Sequence, residues 1–419
     1  MNNYVPEGWS ASNLGELCIF SGGSAFKEKY QGNNYGDYPF IKVSDMNLEG
    51  NQRFITKSMN WINEKVKTEA KIKIFPASSV VFAKVGAALL LNRRRILVRD
   101  TAIDNNMMSA TPYNEDNYFL FYLLQNVDLG EIVQSGAVPS VNQSQMEDIP
   151  VLIPPLPEQK KIAAILTSVD TVIEKTQAQI DKLKDLKTGM MQELLTKGIG
   201  HTEFKDSPVG WIPVEWEVDS IESFGISILD GDRGKEYPKE KDFFQNEYCL
   251  FLSAKNVTKH GFKFNETVYI TKKKDDLLRK GKLIRNDIVI TTRGTVGNIA
   301  LYDDSISYNH IRINSGMAII RNQEDKLDTE YLNLVLHSPL VCEQIELLAF
   351  GSAQPQLTIG LIKNLFIPKP DIEEQNKISK SIGSIQEKIS IVESKLKSLQ
   401  NTKKALMQDL LTGKVRLKV

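Results

Sequence analysis

The sequence predicts an α+β chain built as two similar α/β domains, each followed by one long heptad helix. Three observations predict it. Glu158-Gln159 opens a helical stretch ending Met191-Gln192-Glu193-Leu194-Leu195-Thr196, and Glu374-Gln375 opens another ending Met407-Gln408-Asp409-Leu410-Leu411-Thr412. The apolar positions between those ends keep one register at a constant offset of 216 residues. Ahead of each stretch, the same short apolar runs recur in the same order. Self-similarity of this kind marks a repeated architecture before any single motif does.

The first domain is expected over residues 1–157. It is irregular and rich in Gly, Asn and Ser. Tyr38-Pro39-Phe40-Ile41-Lys42-Val43 and Ser79-Val80-Val81-Phe82-Ala83 read as strands. Tyr118-Phe119-Leu120-Phe121-Tyr122-Leu123-Leu124 reads as a buried helix. Pro154-Pro155-Leu156-Pro157 then stops regular structure, because proline lacks an amide donor and restricts its predecessor.

The helix expected over 158–198 carries Ile162, Leu166, Val169, Ile173, Ile180 and Leu183 at alternating spacings of four and three, with Thr176 and Lys187 in the remaining slots. That is a heptad seam, which needs a partner helix. Gly198 and Gly200 end it.

The second domain, 199–373, repeats the plan. Pro213-Val214-Glu215-Trp216 echoes Pro6-Glu7-Gly8-Trp9, and Tyr248-Cys249-Leu250-Phe251-Leu252-Ser253 echoes the Tyr38 strand. Ile288-Val289-Ile290-Thr291-Thr292-Arg293-Gly294 matches Val80 to Gly86, Tyr331 to Leu336 matches the Tyr118 helix, and Gly351-Ser352-Ala353-Gln354-Pro355 echoes Gly136-Ala137-Val138-Pro139. The second helix, 374–412, has its seam at Ile378, Ile382, Ile385, Ile389, Leu396 and Leu399, so the natural partner of each helix is the other. A short tail, 413–419, follows. The loops do not match: Gly22-Gly23-Ser24-Ala25-Phe26 faces Gly231-Asp232-Arg233-Gly234-Lys235. Two similar frames would therefore read two different things.

Composition narrows the class. A chain of 419 residues, 41% hydrophobic and 25% charged, is an ordinary globular protein of two or three domains. Three scattered cysteines offer neither a disulfide framework nor zinc spacing, so a cytoplasmic location is expected. The first residues lack a charged-then-apolar signal, and no run of about eighteen apolar residues suggests a membrane span. A net charge of zero counts mildly against a protein that coats DNA unaided.

Enzyme motifs fail on inspection. Asp230-Gly231-Asp232-Arg233-Gly234-Lys235-Glu236 lacks the spacing and the Ser/Thr of a phosphate loop. Pro370-Asp371 with Glu393-Ser394-Lys395 mimics a nuclease set, but its last members sit on a heptad helix. No glycine fingerprint for a dinucleotide or methyl donor follows a strand, and no His/Cys cluster suits a metal.

The Pro-x-x-Trp opening of each half, Ile153-Pro154-Pro155-Leu156-Pro157-Glu158-Gln159-Lys160-Lys161-Ile162-Ala163, and Lys403-Lys404-Ala405-Leu406-Met407-Gln408-Asp409-Leu410-Leu411-Thr412-Gly413-Lys414-Val415 resemble the specificity subunit of type I restriction–modification systems. The resemblance covers essentially the whole chain. It implies two target recognition domains, each gripping half of an asymmetric split site on double-stranded DNA, and two helices paired antiparallel as a coiled-coil spacer. It also implies two modification (methyltransferase) subunits and, in the full complex, restriction subunits, with S-adenosylmethionine bound by the modification subunit and no cofactor or catalytic residue in this chain. The second half, with Thr292-Arg293-Gly294-Thr295-Val296-Gly297, lies closer to the family pattern than Lys84-Val85-Gly86. A self-sufficient dimeric DNA-binding regulator is the alternative reading.

Candidate DNA contacts follow from charge and loop position. In the first half they are Lys84, Arg93, Arg94, Arg95, Asn105 and Asn142. In the second they are Arg233, Lys235, Lys273, Arg293, Asn298, His310 and Gln354. Arginine and lysine grip phosphates or guanine, and Asn and Gln pair with adenine. Against each stands a plainer role: a solvated turn for the charge runs, a turn former for the amides, a packed imidazole for His310.

Overall fold

The computed structural model describes residues 5–133, 138–323, 327–349 and 356–418. Five helices organise it: α1 (Asn117–Gln125), α2 (Leu156–Lys197), α3 (Thr329–Leu336), α4 (Pro339–Ala349) and α5 (Ile372–Leu411). The chain divides into two compact units, one of residues up to Ala178 with Glu393 onward, the other Gln179–Val392. The division passes through both long helices. The linear segmentation into domain and spacer helix is thus not how the chain compacts: each domain packs with the start of the helix that follows it and the end of the other.

In the first unit a five-stranded sheet runs in the order Cys18–Gly22, Met107–Pro112, Val80–Ala83, Arg94–Leu97, Phe54–Ile55, with only the last pair parallel. A second sheet holds Trp61–Ile62, Tyr38–Ile41, Thr101–Ile103 and Ile74–Phe75. All four residues Val80–Ala83 are buried, which is why that strand reads as an unbroken apolar run rather than an alternation. Ser10–Asn13 pairs antiparallel with Pro150–Ile153 and so ties the start of the domain to its end. Phe20, Phe82, Phe119, Leu120 and Tyr122 fill the core together with Ile162 and Leu166 of α2 and Leu410 of α5.

The second unit repeats this frame. Its main sheet runs Ser227–Asp230, Met317–Arg321, Ile288–Thr291, Ile299–Leu301, and Glu217–Ser220 pairs with Phe366–Lys369 as the closing ribbon. Met107 lies opposite Ala83 and Met317 opposite Thr291, so strand register equates the two sheets residue by residue. That register also places Gly23, not Gly22, against Gly231, one residue from the alignment that loop composition suggests. Helix α4 stands where the first unit's described residues have only a short 3-10 helix, Leu129–Glu131, and was not legible as a separate element. Helix α2 begins at Leu156, so Pro157 stands inside its first turn, where a missing amide donor costs no bond.

Each unit pairs its two helix segments antiparallel. In the first, Glu158 meets Arg416 at 3.0 Å and Asp170 meets Lys403 at 2.7 Å. In the second, Lys187 Nζ donates to Gln386 at 2.9 Å, and the Ile199 amide donates to Glu374 at 2.7 Å. Among the seam positions Ile162, Leu166, Ile180, Ile378, Ile382 and Ile389 are buried, and Val169, Ile173, Leu183, Ile385, Leu396 and Leu399 are half-buried.

The repeated Glu-Gln pair proves to be a latch. Glu158 and Gln159 are almost wholly buried. Trp9 Nε1 donates to Glu158 at 3.0 Å, and Trp216 Nε1 donates to Glu374 at 3.0 Å. Gln159 accepts the Asp116 amide and donates to the Pro154 carbonyl; Gln375 accepts the Asp328 amide and donates to the Pro370 carbonyl. Asp116 and Asp328 in turn cap α1 and α3. One dipeptide thus fastens a domain's opening tryptophan, its core helix and its outgoing long helix. The side chain on the latch differs: Arg416 grips Glu158 in the first unit, and the His201 ring contacts both oxygens of Glu374 in the second. Gly198 (φ +66°) ends α2 beside that carboxylate, and a side chain there would overlap Glu374 and Trp216.

Burial alone would push the Glu158 carboxyl up. Hydrogen bonds from Arg416, the Leu417 amide and Trp9 outweigh it and hold the group below the usual carboxylate range. Its stabilisation is present above the unfolded-state value of about 4.3 and is lost as pH falls through the lower folded-state value. Trp9→Phe or Trp216→Phe should cost about 1.5–3 kcal/mol by removing a bond to a charged acceptor. Calorimetry should show a loss of several degrees in each variant, and Glu158→Ala should flatten the acid limb of the stability–pH curve.

Candidate nucleic-acid interface

Four segments converge at one end of the second unit's main sheet. Asp232 arranges them: one carboxylate oxygen accepts the Gly234 amide at 2.6 Å, the other the amides of Arg279 at 2.7 Å and Lys280 at 3.3 Å. Burial would raise this carboxyl, but the amide bonds, with Arg279 nearby, hold it below the usual range. The Thr292 amide donates to the Gly316 carbonyl at 2.8 Å, and Arg233 bridges Asp230 and the Ser315 carbonyl at 3.2 Å each. A side chain at Gly231 would overlap the Asn314 carbonyl. Arg233, Lys235, Arg279, Lys280 and Arg293 are all exposed around this meeting point. They form a cationic rim with backbone close to the surface, suited to phosphate and base edges alike.

A buried ion cluster supports the rim. Asp275 is fully buried and pairs with Arg312 and Lys282. Arg312 also donates to the carbonyls of Lys280 at 2.7 Å and Leu278 at 3.0 Å, which fixes the basic segment at 279–280. Burial pushes the Asp275 carboxyl up, and the bonds from Lys282 and Arg312 more than reverse this.

The first unit has the same meeting of loops with other chemistry. The Lys84 amide donates to the Asn106 carbonyl at 2.8 Å and its carbonyl accepts the Val141 amide at 3.0 Å, matching Thr292 with Gly316 and Leu357. A side chain at Gly23 would overlap the Asp104 carbonyl, as at Gly231. Lys84 therefore stands at the place of Thr292, and Val85 at that of Arg293. Lys73 reaches Ser21 at 3.3 Å beside these turns, and Asn105 is exposed on one of them. Lys73 and Lys84 flank these turns, where the second unit presents Arg233, Lys235, Arg279, Lys280 and Arg293.

The structure moves several expected contacts away from this surface. Arg94 is buried; it donates to the Val127 carbonyl at 2.9 Å and lies 5.4 Å from the Phe82 ring, and burial pushes its guanidinium down to about 10. Arg95 is half-buried and gives its donors to the carbonyls of Asn51, Arg94 and Met46; Arg93 bonds Asn47. The arginine run clamps the turn at 46–51 from inside the domain, so Arg94 and Arg95 are structural. Asn142 caps a short helix, and Asn298 donates to the Val257 carbonyl at 3.0 Å. His310 stacks on Tyr248 at 4.1 Å, and Lys273 is exposed on the helix Lys272–Leu277. Gln354 lies outside the described residues. Sequence reasoning missed Lys73 and Asp232: an acid within a basic loop reads as charge balance until its amide partners are visible. Among the described residues no group of three or more His, Cys, Asp or Glu could hold a metal ion, and no helix is long and apolar enough to cross a membrane.

With two like frames, unlike loops and paired helices established, comparison with known proteins is direct. The family model described as type I restriction modification DNA specificity domain matches twice, at residues 6–185 and 213–401. The chain belongs to that family. It is 31% identical to a putative type I restriction enzyme MjaX specificity subunit of Methanocaldococcus jannaschii, over 99% of this chain and 95% of that protein. It is 28% identical to the MjaVIII specificity subunit of the same organism, over 99% and 94%. The fold is shared with the S subunit of a type I system from M. genitalium, at TM-score 0.58 and 13% identity, covering 98% of this chain and 97% of that one.

The buried cluster yields a stability prediction. Asp275→Asn leaves two cations without their shared counter-charge and should destabilise the second unit by about 3–5 kcal/mol. Urea unfolding should register that loss, whereas Lys235→Ala on the exposed rim should stay within about 0.5 kcal/mol of the parent.

Proposed function

We propose that this chain is the non-catalytic DNA-sequence specificity subunit of a type I restriction–modification complex. Each domain reads one half of a bipartite, asymmetric site on double-stranded DNA. Modification subunits, which would bind S-adenosylmethionine, and restriction subunits supply the chemistry. The observation that carries this reading is the pair of sheet ends: one frame, in register to the residue, with Ala25 and Val85 at edge positions of one unit where the other carries Arg233 and Arg293. A repeated frame with divergent edges is what reading two different half-sites requires.

The rim cations serve as backbone grips and base readers. Arg233 and Arg293 act on the second half-site, Lys84 and Lys73 on the first. The heptad helices set the gap between half-sites and dock the modification subunits.

Methylated adenines mapped in cells expressing the complex should define one split, non-palindromic motif. The chain alone should neither methylate nor cut DNA; methyl transfer without partners would overturn the reading. Neutralising Arg233 or Arg293 should lower the salt slope of binding by about 0.9 each, measured as log affinity against log salt. Removing one heptad from both helices should shorten the gap by about 10 Å, or roughly three base pairs. An unchanged gap in the methylation map would refute the role of the helices.

A further inference from the structure

One rim position has the same backbone in both units and opposite side chains. In the second unit the Thr292 amide donates to the Gly316 carbonyl at 2.8 Å, and the Thr292 carbonyl accepts the Leu357 amide at 3.0 Å. Arg293 then bridges antiparallel to Gln356, and Gly294 turns the chain at φ +75°. In the first unit the Lys84 amide and carbonyl make the matching bonds to Asn106 and Val141, Val85 bridges antiparallel to Ser140, and Gly86 turns the chain at φ +77°. Neighbouring chain straps this position in each unit, which fixes where its side chain leaves the surface. The side chain itself is a guanidinium in one unit and a branched aliphatic in the other.

Phosphates are the same in any half-site, so a backbone grip calls for a cation in both frames. Base edges are what differ between half-sites. A position held so alike and filled so differently therefore faces a base. The guanidinium of Arg293 is equipped for that task. Thr292 is buried, so its neighbour Arg293 leaves from the outer face. Arg293 is exposed, and among the described residues nothing accepts a hydrogen bond from its guanidinium. Arg233 is different. Its Nη2 donates to Asp230 and to the Ser315 carbonyl, at 3.2 Å each. Nη2 belongs to both edges of the fork that can pair with a base, so Arg233 holds its turn and keeps single donors for phosphate. Val85 is half-buried and offers only methyl groups.

We propose that this position reads one base pair in each half-site. Arg293 takes a guanine of the second half-site through its O6 and N7, and Val85 packs on the 5-methyl group of a thymine in the first. A planar fork of N–H donors matches the two major-groove acceptors of guanine, and thymine is the base that presents a methyl group there. Exchange of one side chain on a shared root changes the base pair that is read without disturbing the frame. The assignment rests on the reading of the chain as a specificity subunit.

The test expresses full-length variants with the cognate modification subunit and maps methylated adenines. Arg293→Val should relax one guanine of the second half of the motif, with about a tenfold to hundredfold loss of preference there and none at other positions. Arg293→Lys keeps the charge but lacks the fork, so it should relax the same guanine while the salt slope of binding stays at the parent value. Val85→Arg should disfavour one thymine of the first half and favour guanine in its place. A motif that keeps every base of the parent in both Arg293 variants would overturn the proposal; if the salt slope falls in Arg293→Val with that motif intact, Arg293 is a phosphate grip. Relaxation in the first half on changing Arg293 would overturn it as well, as would a first half unaltered by Val85→Arg. A parent complex that yields no split motif would instead overturn the functional reading from which the base assignment starts.

Discussion

Everything in this structure hangs on a buried carboxylate–amide dipeptide used twice. Glu158-Gln159 and Glu374-Gln375 stand where a domain hands over to a long helix, and each takes hydrogen bonds from an opening tryptophan and from the cap of a core helix. A buried carboxylate is tolerated only when its oxygens are satisfied. The latch therefore demands that tryptophan, core helix and long helix be in place together, which makes each unit complete through its own contacts. It also explains why the chain compacts across its linear order: the residues after the C-terminus of one long helix supply the side chain that closes the latch at the start of the other. Arg416 does so for Glu158 and His201 for Glu374.

Duplication of a frame relieves its edges of structural duty. Strand register, caps and latch are the same in both units, whereas equivalent edge positions carry Val85 and Arg293, or Ala25 and Arg233. The deeper layers have diverged as well. Asp275, Arg312 and Lys282 form an ion cluster in the second unit, and the first places Ile103 in the strand position equivalent to Arg312. The polar layer of the helix pair holds an Asp170–Lys403 ion pair in one unit and a Lys187–Gln386 hydrogen bond in the other. Like frames with unlike edges suit recognition of two different half-sites.

Much of the frame was legible in the sequence because it rests on periodicity. The heptad seams, the strands at Tyr38 and Val80 and the helix at Tyr118 all follow from apolar spacing, and the repeat doubled each signal. The Glu-Gln pair stood out as a marker, but its bonds did not, since they join residues 149 and 158 positions apart. Helix α4 is matched in the first half's described residues only by the short 3-10 helix Leu129–Glu131, too weak an echo to expose it. The rim was less legible. Three consecutive arginines promised a DNA-facing loop, yet Arg94 and Arg95 turn inward to bind carbonyls, because a guanidinium fork serves a turn as well as a phosphate. Conversely Asp232, an acid in a basic loop, organises the rim through backbone amides that no spacing rule reveals.

The central claim is that each unit is a self-contained reader. The most direct measurement replaces residues 1–157 with the equivalent domain of another specificity subunit, keeping Glu158-Gln159 and the tail from Gly413 onward, and maps methylated adenines in cells carrying the complex. The account predicts a split motif in which one half changes and the other half is untouched. A change in both halves, or in neither, would contradict it.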